Sequence, residues 1–300
     1  MKTYLITGGS GLVGRRLSDI LFQQGDRVKH LSRNPGEINN VEVFKWDIPK
    51  EYIDPKSFDG VDVIVHLAGA EIMEKRLDDD RKREIINSRV NSLKLLYSHL
   101  ENHSHHVKCL ISSSAQGYYQ PNTGQVLKET DPTDPGFLGE VCKVWEEKAF
   151  EWEQLGIRVA VNRIGLVFAS TGGAFTGMRT PIEKGFGSYF GNGKQIYPWI
   201  HIDDMCRIII HEANNKEITG VYNAAAPYPV DQKEVIKVSA ACLNKKTIPF
   251  PVPKFILKLL MGERAGLIMN SYHMSAEKII QTGFAFEHPR IEGAIANLLK

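Results

Sequence analysis

Short apolar runs alternate with longer stretches in which apolar residues recur every three or four positions through the first half of the chain. The runs are typical of buried strands, and the recurring pattern is typical of amphipathic helices. Strands are predicted from Tyr4 onward and at residues 27–31, 41–44, 61–67, 107–111 and 158–163, with long helices at 81–100 and 138–155. Strands and helices that alternate in this way predict an α/β fold, a Rossmann-type doubly wound parallel sheet.

The alternation stops after Arg163. Residues 170–193 are dense in glycine and aromatic residues, which predicts a flexible loop near a binding cleft. Regular structure is predicted again at 199–213 and 221–224, and the chain is mainly helical from Pro227 onward. The sequence therefore predicts a smaller, mainly helical C-terminal lobe beside the sheet.

A glycine-rich turn follows the first predicted strand directly. Gly8, Gly11 and Gly14 fit a G-x-x-G-x-x-G spacing, and the segment also fits G-x-G-x-x-G. In dinucleotide-binding proteins such glycines allow a tight turn, close approach of the backbone to the pyrophosphate, and close packing of helix on strand. The helix start also offers N–H groups to phosphates. The predicted dinucleotide contacts are Gly8, Gly9, Ser10, Gly11, Leu12, Val13 and Gly14.

The end of the second predicted strand carries no acid. Dinucleotide-binding units usually place Asp or Glu there, where it binds the ribose 2′-hydroxyl. This chain has Ser32 and Arg33 instead. A guanidinium matches a 2′-phosphate in both charge and geometry. The sequence therefore predicts NADP as the cofactor.

The carboxyl ends of the parallel strands define where the site lies. Ligands of such sheets bind outside these ends, so the glycine turn, Ala68, Gly69, the serines from Ser112 to Ser114, and Arg163 are expected to converge on one cleft. The predicted NADP-binding Rossmann domain comprises residues 1–165 with a contribution from about 198–224. The smaller substrate lobe comprises residues 166–197 and 225–300.

Composition and charge exclude several classes of protein. The net charge of +2 is too small to indicate a nucleic-acid or membrane surface, and no apolar run reaches the length of a membrane span. Four cysteines lie far apart, which is typical of reduced thiols. His99 and His103 are spaced for chelation but lack further ligands, so no metal site is predicted. We expect a cytoplasmic protein with a small-molecule partner.

Several motifs together resemble the extended short-chain dehydrogenases/reductases. The resemblance is carried by TGGSGLVG at 7–14, WDI at 46–48, HLAG at 66–69, SSSAQGY at 112–118 and WIHIDD at 199–204. It implies an adenine contact for Asp47 and further cofactor contacts for Leu67, Ala68, Gly69 and Ser112. It also implies that Ser114 is the active-site serine.

A narrower resemblance covers nearly the whole chain. LSRNP at 31–35, INSRV at 86–90, GYY at 117–119, FLGEVCKVWE at 137–146 and TGFAF at 282–286 resemble an atypical subgroup described as nucleoside-diphosphate-sugar epimerases with a C-terminal domain of unknown function. This resemblance implies that Arg89 turns toward the cofactor phosphates with Glu84 nearby. Arg163 either points into the same cleft or is a structural ion-pair partner.

The catalytic Tyr-x-x-x-Lys pair of that parent family is missing. Its two side chains would share one face of the helix after the serine strand. Alignment on Glu146 places Leu138 and Cys142 at the two positions, and a shift by one residue places Gly139 and Lys143 there. None of the four supplies a tyrosine. The nearest replacements for the proton-transfer group are Ser114, Tyr118 and Tyr119.

Two main hypotheses of function follow from the sequence. A third, a sugar-nucleotide epimerase in the usual sense, is less favoured, because such enzymes commonly retain bound NAD whereas Ser32 and Arg33 favour NADP. The first is an NADP-dependent oxidoreductase or epimerase-like enzyme of atypical chemistry, acting on a carbonyl or hydroxyl substrate that the sequence does not identify. The second is a catalytically silent NADP-binding sensor or scaffold, which the missing Tyr-x-x-x-Lys pair favours. A homodimer that pairs through the long helix at 81–100 is compatible with both.

Overall fold

The computed structural model describes residues 1–38 and 41–300, and most of its first half is strand followed by helix. The strands are β1 (Thr3–Thr7), β2 (Arg27–Ser32), β3 (Gly36–Ile38), β4 (Val41–Asp47), β5 (Tyr52–Ile53), β6 (Val63–His66), β7 (Cys109–Ala115), β8 (Val126–Leu127), β9 (Arg158–Ile164), β10 (Leu166–Phe168), β11 (Phe186–Phe190), β12 (Ile196–Tyr197), β13 (Trp199–His201), β14 (Gly220–Ala224), β15 (Val230–Asp231), β16 (Ile248–Val252) and β17 (His273–Met274). The helices are α1 (Leu12–Gln23), α2 (Asp79–Asn102), α3 (Phe137–Phe150), α4 (Gly173–Glu183), α5 (Ile202–Asn214), α6 (Gln232–Cys242), α7 (Lys254–Met261), α8 (Arg264–Met269), α9 (Glu277–Gln281) and α10 (Ile291–Leu298).

One large sheet organises the fold. Its strand order is β14-β9-β7-β6-β1-β2-β4-β3, and β5 pairs with the carboxyl end of β4. The seven strands from β14 to β4 are parallel, whereas β3 and β5 pair antiparallel with β4. The chain reverses its direction of winding at β1, between β2 and β6. This topology confirms the predicted Rossmann-type doubly wound sheet.

Both faces of the sheet are covered by helices. α2 and α3 cover one face, where Leu93 and Trp145 belong to the buried core. α1 and α5 cover the other face, where Leu17 and Ile209 are buried. α10 contributes Ile295 to this second core. The C-terminal helix therefore packs into the same core as the sheet.

The prediction of a flexible loop at residues 170–193 is wrong. The segment contains α4 and β11, and α4 runs through Pro181. Phe175 and Ile182 are fully buried, so tertiary packing holds a helix that its glycines and proline disfavour. Phe175 lies in the core, where its ring stacks on that of Phe168, and does not line a cleft.

The chain beyond β14 is mainly helical, as predicted. It adds small strand pairs to the periphery: β11 with β16, β12 with β15, and β8 with β17. None of the helices in the described part of the chain combines the length and the apolar character that crossing a bilayer requires. The predicted division into two lobes stays a prediction.

Candidate functional site

Neighbouring groups closely surround the glycine turn between β1 and α1. Gly8 has a φ of 71°, and a Cβ there would lie 2.9 Å from the carbonyl carbon of Leu67. A Cβ on Gly9 would lie 2.4 Å from the His30 ring, and one on Gly14 would lie 2.5 Å from the Gly8 oxygen. Side chains do not fit at such distances, so these three positions require glycine.

The first turn of α1 offers backbone N–H groups to an anion. Gly11 is the N-cap residue, and no side chain caps this helix end within the described residues. The first N–H groups of a helix lack intrahelical partners and lie at its positive end, which favours phosphate. Ser10 and Gly11 are exposed, while Leu12 and Val13 are half-buried. Residues 8–14 therefore form a cradle that fits a pyrophosphate.

Arg33 follows β2 at the carboxyl edge of the sheet. Its side chain is exposed and makes no ion pair among the residues whose side chains the structure describes, 1–35 and 41–300. Ser32 is half-buried, and its Oγ accepts the Asn34 N–H at 3.2 Å. Asp47 ends the neighbouring strand β4, and its carboxylate accepts the Lys50 N–H at 3.3 Å. These residues lie on the side of the glycine turn where a dinucleotide places its adenosine.

The segment after β6 lies on the other side of the turn. The N–H groups of Leu67 and Ala68 donate to the carbonyl and the hydroxyl of Thr7, both at 3.2 Å. Gly69 is exposed, and a Cβ on it would lie 2.9 Å from the guanidinium carbon of Arg89. The backbone of this segment is therefore held close to the glycine turn and to a buried cation.

Arg89 carries a buried charge that no carboxylate of the described chain neutralises. Its Nη1 donates to the carbonyls of Ala70 and Ile85 at 3.1 and 3.0 Å, and its guanidinium lies 4.8 Å from the Trp145 ring centre. Nε is buried without a partner among the described groups. Burial lowers the pKa of Arg89 to about 10. A charge in this state favours an anionic ligand at the end of β6.

Glu84 lies five positions before Arg89 on α2 but pairs with a different arginine. Its carboxylate accepts from Arg81 Nη1 at 2.7 Å, and this bond lowers the pKa of Glu84. Arg81 also binds Glu74 at 2.8 Å and the Glu71 carbonyl. Through Arg81, Glu84 therefore helps to hold the segment after β6, and it does not neutralise the charge of Arg89.

A buried network joins β7, α3 and β9. The Ser114 hydroxyl donates to Glu146 Oε1 at 2.6 Å, and Arg163 donates to both Glu146 oxygens at 2.9 Å. All three side chains are buried. Arg163 is therefore a structural ion-pair partner, one of the two alternatives that the sequence left open. Ser112 lies one strand repeat earlier, where it is buried and its hydroxyl makes a long bond of 3.3 Å to the Ser113 carbonyl.

The two tyrosines after β7 differ in their surroundings. Tyr119 is buried, accepts from Arg163 Nη1 at 2.9 Å, and donates to Asn223 Oδ1 at 2.7 Å. Burial raises the pKa of Tyr119. Tyr118 is half-buried, its ring centre lies 3.3 Å from the guanidinium carbon of Arg163, and its hydroxyl bonds to none of the described residues. Of the two, Tyr118 has the hydroxyl that is free to meet a ligand.

Glu146 is the site residue that sequence reasoning missed. Residues 138, 142 and 146 are spaced by four on α3, so Glu146 shares the face on which the Tyr-x-x-x-Lys pair would lie. On that face Leu138 adjoins Gly117, and the Cys142 thiol approaches the Ala115 carbonyl at 3.6 Å. Burial raises the pKa of Cys142 to about 11, so its thiol is neutral at physiological pH. The spacing of four residues from Leu138 and Cys142 is the sequence signal that could have identified Glu146.

A second group of polar residues lies at the start of α5. His201, Asp203 and His288 each bring a possible metal-ligand atom within 4.8 Å of the others. Asp203 is already paired with Arg16 at 2.5 Å, and His201 Nδ1 accepts the Asp203 N–H at 3.1 Å. Burial, with the adjacent His288, lowers the pKa of His201 to about 4. Two of the three, His201 and Asp203, border a cleft of about 740 Å³ that also reaches Ser10, Gly11 and Leu12.

The fold and the glycine cradle define a dinucleotide-binding α/β protein. The sequence profile of the NAD dependent epimerase/dehydratase family matches residues 4–225, and that of a domain of unknown function, DUF1731, matches residues 252–298. The chain belongs to the NAD dependent epimerase/dehydratase family. An epimerase family protein of Staphylococcus aureus (strain MRSA252) is 31% identical over 300 residues, which cover 100% of this chain and 99% of that protein. One of Staphylococcus saprophyticus is 30% identical over the full length of both chains.

Solved structures show the same fold. The human epimerase family protein SDR39U1 (isoform 2), solved with NADPH, has a TM-score of 0.88 and 26% identity, over 99% of this chain and 98% of that one. A nucleoside-diphosphate sugar epimerase from Corynebacterium glutamicum has a TM-score of 0.79 and 29% identity, over 99% of this chain and 58% of that one. UDP-N-acetylglucosamine 4-epimerase from Bacillus cereus, at 15% identity and a TM-score of 0.79, shares the fold.

Proposed function

We propose that the protein binds NADP(H) and acts as an atypical oxidoreductase or epimerase-like enzyme of the short-chain dehydrogenase/reductase type. The observation that carries this proposal is the exposed Arg33, which directly follows β2 at the strand end where an NAD-specific protein places an acid. A guanidinium there attracts a 2′-phosphate. The NADPH in the similar human structure supports the same choice.

The cofactor would be held by backbone on one side and by cations on the other. Residues 8–14 cradle the pyrophosphate, and the segment from Leu67 to Gly69 closes the far side of the turn. Arg89 offers its uncompensated charge behind Gly69. When bound, NADP(H) supplies hydride transfer to or from a carbon of the substrate. The protein then has to hold the substrate oxygen and move one proton.

Ser114 and Tyr118 are suited to different halves of that task. The Ser114 proton is committed to Glu146, so its oxygen accepts a hydrogen bond from a substrate hydroxyl. Tyr118 has an uncommitted hydroxyl, so it donates a proton to a substrate carbonyl or takes one from an alcohol. Tyr119 cannot do this while its proton is held by Asn223. We therefore assign proton transfer to Tyr118 and orientation to Ser114.

NADPH oxidation, followed by absorbance over a panel of carbonyl compounds, tests this assignment. We expect turnover in the wild type and a loss of about 10²–10⁴-fold in Tyr118→Phe, since a positioned acid or base contributes that much. Tyr52→Phe is the matched control, because Tyr52 is exposed on β5. Turnover in Tyr118→Phe equal to that of the wild type would reject the role of Tyr118.

A second candidate function is a catalytically silent NADP(H)-binding sensor or scaffold. It is favoured by Leu138 and Cys142 at the positions of the missing pair, and by the engagement of Ser114 and Tyr119 within the protein. This candidate predicts tight NADPH binding with no turnover of any compound in the panel. Turnover by the wild type excludes it.

A further inference from the structure

Six large apolar side chains stand exposed on one strand pair and on the helix that follows it. They lie on β11, β16 and α7, and we call them the apolar patch. Their exposed fractions are Phe186 56%, Ile248 71%, Phe250 54%, Phe255 70%, Leu259 83% and Leu260 72%. Scattered exposed apolar residues are ordinary, but a contiguous group of this size marks an interaction surface.

The backbone connects the members of the apolar patch. Phe186 and Ile248 are register partners in the parallel pair of β11 and β16. Phe250 stands two residues further along β16, on the same side as Ile248. Pro253 then leads directly into α7, which buries Leu257 and presents Phe255, Leu259 and Leu260 to solvent. The strand pair and the helix that follows it thus both present apolar side chains to solvent.

The surroundings of the apolar patch are strongly basic. The sequence from Val235 to Gly262 contains five lysines and no aspartate or glutamate. Lys237 is paired with Glu234, whereas the other four make no ion pair within the described residues: Lys245, Lys246, Lys254 and Lys258. The acids that flank this segment in sequence are in ion pairs, Glu234 with Lys237 at 3.1 Å and Glu263 with Lys82 at 3.1 Å.

We propose that the apolar patch and its four lysines dock on an anionic phospholipid surface. Aromatic and leucine side chains enter the boundary between headgroups and acyl chains, and flanking lysines bind the anionic headgroups. A helix that presents apolar residues together with Lys254 and Lys258 has the composition of an interfacial element. The proposal departs from the absence of a membrane partner that the sequence predicted.

A second copy of the chain is a poorer occupant of the same surface. A twofold contact would place the same patch against itself. Lys254 and Lys258 of one copy would then face those of the other, with no acid between Val235 and Gly262 to neutralise them. Like charges brought together at an interface oppose association. An anionic bilayer meets the apolar and the basic requirement together.

Cosedimentation of the full-length protein with vesicles tests the proposal. We expect binding to vesicles of phosphatidylcholine mixed with phosphatidylglycerol, weaker binding to phosphatidylcholine alone, and a decrease as salt is raised. Lys254→Glu/Lys258→Glu should weaken binding roughly 25-fold or more, at about fivefold for each lysine charge lost. The matched control, Lys94→Glu/Lys216→Glu, changes the same charge at exposed lysines elsewhere and should bind like the wild type.

Leu259→Ser/Leu260→Ser tests the apolar contribution, because both side chains are exposed and their loss should leave the fold intact. We expect this variant to have the same unfolding midpoint as the wild type and to lose vesicle binding. Absence of wild-type binding to the mixed vesicles, or equal binding by Lys254→Glu/Lys258→Glu, would overturn the proposal. So would a wild-type dimer that Leu259→Ser/Leu260→Ser converts to a monomer while vesicle binding is unchanged.

Discussion

Gly14 shows how strictly single residues are constrained at the site. A Cβ at this position would lie 2.5 Å from the Gly8 oxygen and 2.7 Å from the Gly9 Cα, both of which are backbone atoms. Backbone cannot move aside as a flexible side chain can. The helix α1 therefore approaches the turn as closely as the glycine motif predicted, and the space for a pyrophosphate depends on that approach.

The substitution Gly14→Ala should destabilise the protein by about 1–3 kcal/mol, because the added methyl group overpacks the turn. Gly177→Ala is the control, since a Cβ there meets open space within α4 and should add about 0.5–1 kcal/mol of stability. Urea unfolding of both variants measures the difference. Equal stability of Gly14→Ala and the wild type would show that the turn has room for a methyl group.

The roles of single residues were predictable where local chemistry decides them. The glycine positions and the missing acid at Arg33 follow from spacing and charge alone. The role of Arg163 was not decided, because its partner Glu146 lies 17 positions away in sequence and meets it only after α3 packs on β9. The difference between Tyr118 and Tyr119 depends in the same way on Asn223, a residue of β14.

Three secondary-structure elements are joined by the Glu146 carboxylate. β7 contributes Ser114, β9 contributes Arg163, and both donate to this one acid on α3. Glu146→Gln should cost about 3–5 kcal/mol, because it leaves the buried Arg163 charge uncompensated. Glu147→Gln is the control: Glu147 is exposed beside Lys143 at 3.9 Å, and its loss should change the free energy of unfolding by at most about 0.5 kcal/mol. Similar unfolding midpoints for the two variants would contradict this role.

α5 is joined to β9 by a second buried acid, Glu212. Asn162 Nδ2 donates to its Oε2 at 2.7 Å. Burial raises the pKa of Glu212 to about 8 from an ordinary value of 4.5, although the Asn162 bond and Arg158 act in the opposite direction. The folded protein therefore keeps a proton that the unfolded chain releases. The stability that this group contributes is complete below about pH 4.5 and is lost as the pH rises through 8.

Glu212→Gln should remove that dependence, because glutamine keeps the acceptor for Asn162 and has no proton to lose. The free energy of unfolding of this variant, relative to the wild type, should increase steadily between about pH 5 and pH 8. Urea unfolding across this range measures it. A constant difference between the two proteins would mean that Glu212 is ionised in the folded state.

At the level of elements, strands and long helices were predictable because their apolar periodicity is strong. α4 was not, because its glycines and Pro181 indicate a loop, while Phe175 and Ile182 are held by a core that sequence reasoning did not anticipate. Residues 112–114 were placed at the end of a strand, whereas β7 continues to Ala115. The three serines are buried, and β7 stays paired with β9 through Ser114 and Ala115, so the strand continues beyond its apolar residues.

The whole molecule places its candidate site along the carboxyl edge of one sheet. The glycine turn, Arg33 and Gly69 follow β1, β2 and β6, and Ser114 lies near the carboxyl end of β7. The topology was predictable, because alternating strands and helices allow few arrangements. The substrate was not, because proton transfer depends on side chains that different elements bring together.

Direct binding of NADPH and NADH tests the central claim that this edge is an NADP site. We expect the wild type to prefer NADPH, and Arg33→Ala to bind NADPH roughly tenfold to a hundredfold more weakly, because a charge-assisted contact of about 1.5–3 kcal/mol is lost. NADH affinity should stay the same. Arg27→Ala is the control, since Arg27 is exposed at the opposite end of β2. Equal affinities for the two nucleotides in the wild type, or no binding of either, would contradict the account.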